Sequence, residues 1–177
     1  MRDLARMRLA AYLCVDDLKI ESDSQAAPLL FDHWMTMILI SNAELKLIFK
    51  VHFSPGAIGP WAEQKFQVAR TSISPRQITD FGKEICNVCA GAIKQEFGLH
   101  GVDTGTSLPV LCRGFDELFF DPPDGKRIFV DQWRLAASSG RIGTSIHLDV
   151  QDPGLFQRMQ IGKTLSLAIA SGEVEDL

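Results

Sequence analysis

No run of about 18 apolar residues occurs in this sequence, so a membrane-spanning helix is excluded on length alone. Positive charge is also in short supply. Eighteen lysines and arginines face 22 aspartates and glutamates, for a net charge of −4. A protein whose main task is to grip a phosphate backbone usually carries a basic surplus, so nucleic acid is not the expected partner. Four cysteines, Cys14, Cys86, Cys89 and Cys112, do not form the spaced set of a disulfide scaffold, and 177 residues do not need one. Gly98 to Gly105 holds three glycines but neither a GxGxxG pattern nor a Walker lysine. His33, His52, His100 and His147 are scattered, with no Ser-His-Asp order. Asp121 to Asp124 has too few regularly spaced oxygens for a calcium loop. Only two asparagines are present, Asn42 and Asn87.

What is present suits a soluble cytoplasmic globular protein. Forty-six per cent of the residues are apolar, enough for a sizeable core, and the length fits a single domain spanning 1–177. Met1 to Leu18 reads as an amphipathic helix rather than a targeting segment, because Leu9 to Val15 is too short for a signal core. Glu21 to Gln25 reads as a loop and Leu29 to Trp34 as a short helix. Met35, Met37, Leu39 and then Leu45, Leu47, Phe49 and Val51 alternate at the strand period, with Ser41-Asn-Ala-Glu44 as the turn of a hairpin. Trp61 to Arg70 is expected as a short helix entered after Pro60.

Ser74-Pro75, followed by Gln77, has the form of a capped helix entrance, and Gly98 of a stop. Val102 to Cys112 reads as a strand broken by Pro109 and so placed at an edge. Phe115 to Gly125 is a loop. Arg127 to Ala137 and Ile142 to Val150 flank Ser138-Ser-Gly140 as a second hairpin. Lys163 to Ala170 has the pattern of a strand or a short helix. The tally predicts an α+β fold, with helices packed on one face of a largely antiparallel sheet.

The long helix carries the chemistry. At about 100° per residue, Asp80, Glu84, Asn87 and Gly91 fall within roughly 60° of one another. The opposite arc carries Phe81, Ile85, Cys89, Ala92, Ile93 and Phe97. A carboxylate and a carboxamide one turn apart can hold another protein and aim a water molecule; a plain solvated face has the same period. Cys86 and Cys89 form a CxxC. Zinc needs two further ligands at matched spacing, which the sequence does not supply, so the pair reads as buried packing and no metal site is expected. Trp34, Trp61 and Trp133 read as core or helix–sheet anchors.

The stretch Asp80-Phe-Gly-Lys-Glu84-Ile-Cys-Asn87-Val-Cys-Ala-Gly91-Ala resembles the signature of the CheX/CheC/FliY chemotaxis phosphatases. That signature is Asp or Ser, three residues, Glu, two residues, Asn, and a proline just over twenty residues later. Pro109 lies twenty-two positions after Asn87. The likeness in element order covers about Met35 to Val150. A single copy is present, since Asn42 has no glutamate three residues before it, and this resembles CheX with one site more than CheC with two. The resemblance implies a CheX-like fold, a homodimer paired through sheet edges, and a phosphorylated CheY-like receiver domain as partner. It implies no cofactor in this chain, with Mg²⁺ held by the receiver. Asn87 would orient the attacking water, and Glu84 would clamp a receiver lysine, with a general-base role as its alternative. Asp80 would hold the helix or touch the partner, and Gly91 would allow close approach or helix packing. Pro109 would shape the strand. Two other functional readings stand beside phosphoaspartate hydrolysis: a catalytically inactive adaptor that docks on a receiver, and an unrelated ligand-binding domain.

Overall fold

The first element ends earlier than its sequence pattern suggests. In a computed structural model, which describes residues 1–21, 34–114, 116, 128–152, 154 and 155, α1 covers Arg2–Leu13. Cys14 closes it in the left-handed conformation, its backbone N–H donating to Ala10 and Ala11 carbonyls. The chain then enters a short strand, β1 (Lys19–Glu21). The expected loop at 21–25 and helix at 29–34 fall almost wholly outside the described residues; Trp34 itself opens a strand.

The first hairpin forms as its alternation requires, from β2 (Trp34–Ser41) and β3 (Leu45–Phe53). Asn42 locks its turn. The Oδ1 accepts from the backbone N–H of Glu44 (2.8 Å) and Leu45 (2.9 Å), and Nδ2 donates to the Asp103 carbonyl (2.9 Å). One detail differs from the expected pattern. Leu45, Leu47, Phe49 and Val51 join the main core, but on β2 their partners are Ile40, Ile38 and Thr36. Met35, Met37 and Leu39 point to the other face, where Met35 is also fully buried. Period two alone does not choose a face when both are apolar.

The second helix starts six residues before its expected entrance. Ser54 caps α2 (Pro55–Phe66), accepting from the Ala57 N–H at 3.1 Å, and Pro55 takes the first helical position. Pro60 therefore lies inside the helix and costs the Gly56 carbonyl its donor. A single turn, Arg70–Ser72, leads on to α3 (Pro75–Leu99). The predicted capping box is present: Ser74 accepts from the Gln77 N–H and the Gln77 side chain returns to the Ser74 N–H. The helix runs through Gly98 rather than stopping there, and the left-handed residue that follows is Gly101, at φ +73°.

Pro109 divides the next strand into β4 (Gly105–Thr106) and β5 (Val110–Arg113), both paired to β2. Thr106 opposes Ile40 and Val110 opposes Met37, so three residues on one strand face two on the other. That is a bulge, and the proline, which has no N–H for the ladder, sits in it. β6 (Ile128–Ala137) and β7 (Gly140–Val150) form the predicted second hairpin.

The strands order as β1-β6-β7-β3-β2-β4, with β5 also on β2, and every described pairing is antiparallel. α3 lies directly on β2 and β3: Thr36 Oγ1 donates to the Gly82 carbonyl (3.4 Å), and Cys86 Sγ approaches the Thr36 and Phe49 carbonyls. α1 rests on α3 through Cys89 Sγ and the Ala5 carbonyl (3.8 Å). α2 covers the second hairpin, where Trp61 Nε1 donates to Ser139 Oγ (3.0 Å). This is the expected α+β layering.

Candidate functional site

The apolar arc of α3 fixes the helix, and its polar stripe is left outside. Ile78, Phe81, Ile85, Ile93 and Phe97 are all buried. Each such side chain is worth about 1.5–3 kcal/mol against exposure, so the arc alone decides how α3 rolls on the sheet. Asp80, Glu84, Asn87 and Gly91 are consequently all exposed, on one line along the outer surface. The structure brings these four predicted residues together. Pro109 stands apart from them, half-buried in the bulge at the sheet edge.

The four differ in what holds them. Asp80 is engaged inside the chain. Lys83 Nζ lies 2.8 Å from its Oδ1 and Arg76 Nε 3.8 Å from its Oδ2. The Lys83 hydrogen bond, with help from both charges, holds the Asp80 carboxyl below the usual carboxylate range. Glu84 has no ion pair among the described residues, and Asn87 has no side-chain hydrogen bond among them. A carboxylate and a carboxamide one turn apart therefore face outward with their bonding capacity unused. The contrast with the other asparagine is direct, since every described polar atom of the Asn42 side chain is consumed by the β2–β3 turn and Asp103.

Gly91 touches no neighbour that a side chain would displace among the described residues. A Cβ built on it meets nothing within 4 Å. A glycine in mid-helix costs roughly 0.5–1 kcal/mol against alanine, and no contact among the described residues requires it. The missing side chain opens a groove of about 470 Å³ between α1 and α3, beside Asn87.

Two residues of that groove were not legible as site residues. Arg8 and Tyr12 project from α1 toward the same space as Asn87 and Gly91. Tyr12 stacks on Phe81 (6.4 Å) and lies under Lys65, whose Nζ is 4.0 Å from the ring centroid and donates to the Tyr12 carbonyl. Burial, with the Glu84 charge nearby, pushes the Tyr12 hydroxyl above its ordinary range. The only sequence signal for this pair was the amphipathic pattern of the first helix, which does not say which neighbour its polar side meets.

The CxxC cysteines are buried packing residues, as their place on the helix predicted. Among the described residues no group of three His, Cys, Asp or Glu side chains is placed to hold a metal ion, and no helix is long and apolar enough to cross a membrane. Trp61 and Trp133 are core residues, while Trp34 is half-buried under the Arg113 guanidinium, 3.9 Å from the ring centroid.

No family model and no curated protein matches the sequence. Among solved structures, the fold is similar to the chemotaxis protein CheX of Vibrio vulnificus, with a TM-score of 0.63, 15% identity, and 84% of this chain and 93% of that one covered. It is similar to the complex of CheX with CheY, BeF3 and Mg2+ from Borrelia burgdorferi, with a TM-score of 0.63, 10% identity, and 85% and 95% covered. FliY of Thermotoga maritima matches with a TM-score of 0.52, 13% identity and 87% of each chain. The chain has the CheC/CheX/FliY-type fold.

Proposed function

We propose that this chain hydrolyses the phosphoaspartate of a CheY-like receiver domain by presenting the outer stripe of α3 to the partner's phosphorylation cleft. The observation that carries the reading is the state of Glu84 and Asn87. They are exposed, one turn apart, unengaged among the described residues, and mounted on a helix whose other side is locked into the core. A solved complex of this fold contains CheX with CheY, BeF3 and Mg2+, which supports a receiver of that kind as partner.

The reaction adds water to the acyl phosphate and releases inorganic phosphate from the aspartate. The partner supplies the metal ion, so this chain's task is to orient the nucleophile, and orientation can account for several kcal/mol of the barrier. The Asn87 carboxamide suits that task, since its oxygen accepts a hydrogen bond from water and its nitrogen donates one. Glu84 clamps a cation of the receiver and so seats the helix. Asp80, already tied to Lys83 and Arg76, steadies the first turns of α3 beside the partner. Gly91 lets the partner backbone come close. Pro109 holds the bulge that ends the sheet edge. That edge exposes Leu108 and Val110, at 85% and 52%, and is the place where a second copy would pair to give the expected homodimer.

The test is to charge a receiver domain with acetyl phosphate, add the chain, and follow loss of the phosphoryl group. Accelerated loss is expected. Binding without acceleration would support the adaptor reading instead, and the absence of both binding and acceleration would overturn the proposal.

A further inference from the structure

The groove beside Asn87 contains a cation that the site's acidic stripe does not explain. α1 carries three arginines. Arg2 is paired with Asp131 and Arg6 with Asp3 at 3.8 Å. Among the described residues Arg8 donates to the neutral Gln95 Oε1 alone, at 2.7 Å, and meets no carboxylate. It is exposed, and it lines the groove with Asn87 and Gly91. The α3 stripe next to it offers the opposite charge through Glu84. The floor is open because Gly91 has no side chain and nothing fills its place.

A partner held on α3 by one charge pair can pivot about it and leave before it is seated. A second contact off the helix axis removes that freedom. Resting on the receiver-phosphatase reading, we propose that Arg8 and the Gly91 gap form a second docking slot, which takes a carboxylate-bearing loop of the same receiver. The partner is then held by opposite charges on two helices, its cation at Glu84 and its acid at Arg8. Charge pairs of this kind set register and the rate of encounter more than bulk affinity. Arg8 is thus a positioning and specificity residue: it touches neither water nor phosphate.

The experiment uses the full chain and an acetyl-phosphate-charged receiver, with KM, kcat and their salt dependence measured for wild type, Arg8→Glu, Arg8→Lys and Gly91→Leu. Arg8→Glu is expected to raise KM roughly tenfold and to flatten the salt dependence, with Arg8→Lys restoring most of the loss. Gly91→Leu, whose Cβ meets nothing within 4 Å among the described residues, is expected to raise KM with its helical circular dichroism unchanged. Wild-type KM and salt dependence in Arg8→Glu would overturn the slot while leaving the phosphatase reading in place. A lysine variant as poor as the glutamate variant would do the same. If wild type itself neither binds nor dephosphorylates the receiver, both readings fall.

Discussion

A Cβ on Gly82 would stand 2.1 Å from Cζ of Phe53, in the tight seam where α3 crosses the sheet. Phe53 is itself buried at 5% exposure, so the ring has little room to withdraw. Gly91, nine residues along the same helix, has open space. The two glycines therefore predict opposite signs for one chemical change. Gly82→Ala should destabilise the chain by about 1–3 kcal/mol through overpacking, less what the helix gains from alanine. Gly91→Ala should stabilise it by roughly 0.5–1 kcal/mol. Urea unfolding of both variants checks this, and a destabilised Gly91→Ala would mean that packing, not access, keeps the glycine.

Glu84 and Asn87 are expected to separate in kinetics although they neighbour each other on the helix. Neither makes an ion pair or a side-chain hydrogen bond among the described residues, so replacing either with alanine should leave the thermal midpoint within about 1–2 °C of wild type. Asn87→Ala should lower the rate of receiver dephosphorylation about 10²-fold, the scale at which a misplaced reactant costs rate, with KM little changed. Glu84→Ala should act mainly on KM. Single-turnover assays over a range of receiver concentrations distinguish the two. An Asn87→Ala variant as fast as wild type would remove the water-orienting role.

The exposed stripe of α3 was readable in the sequence because it combines two independent patterns. Helical period places Asp80, Glu84, Asn87 and Gly91 on one line, and the apolar arc opposite dictates which way that line faces. The hairpins were readable for a similar reason, since alternation and turn residues agree. What was hidden depends on contacts between distant segments. Arg8 lies 87 positions from its partner Gln95, and no local pattern announces that α1 walls the groove. The start of α2 was missed because two prolines competed for one role. Pro55 follows a serine able to cap, and that cap together with burial of Ile58 offsets the cost of Pro60 in the helix interior. Two apolar faces on β2 hid which of them meets α3.

The cysteines make a prediction about reactivity. Cys14 is exposed, Cys112 is half-buried, and Cys86 and Cys89 are sealed beneath α3. Burial pushes the Cys86 thiol up to about 12 and the Cys89 thiol up as well, so neither supplies thiolate near neutral pH. Titration with a thiol reagent should show Cys14 reacting first, Cys112 more slowly, and the remaining two only on unfolding. Four thiols reacting at one rate in the native protein, or one zinc bound per chain, would refute the packing role of the CxxC.

The last prediction concerns how α1 is held in place to wall the groove. Arg2 on α1 donates from Nε to Asp131 Oδ2 on β6 at 2.8 Å, with a second contact from Nη2 to Oδ1, and its guanidinium lies 5.8 Å from the Trp133 ring centroid. The Arg2 hydrogen bond holds the Asp131 carboxyl below its ordinary value of 3.8. A depressed carboxyl stabilises the folded state above its unfolded pKa, and that contribution is lost as pH falls through the lower, folded value. The pair is partly exposed, at 36% for Arg2 and 20% for Asp131, so solvent screening limits it to about 1 kcal/mol or less. Asp131→Asn should thus be less stable than wild type at pH 7 by that amount, and the gap should close below about pH 4 as the wild-type carboxyl takes up its proton. Loosening α1 should also weaken the Arg8 contact while leaving Asn87 untouched, so at pH 7 the variant should raise KM for the receiver without lowering kcat. Urea midpoints measured from pH 3 to pH 7 test the first expectation. A gap that persists undiminished at pH 3 would mean that the asparagine acts through shape rather than through the lost charge.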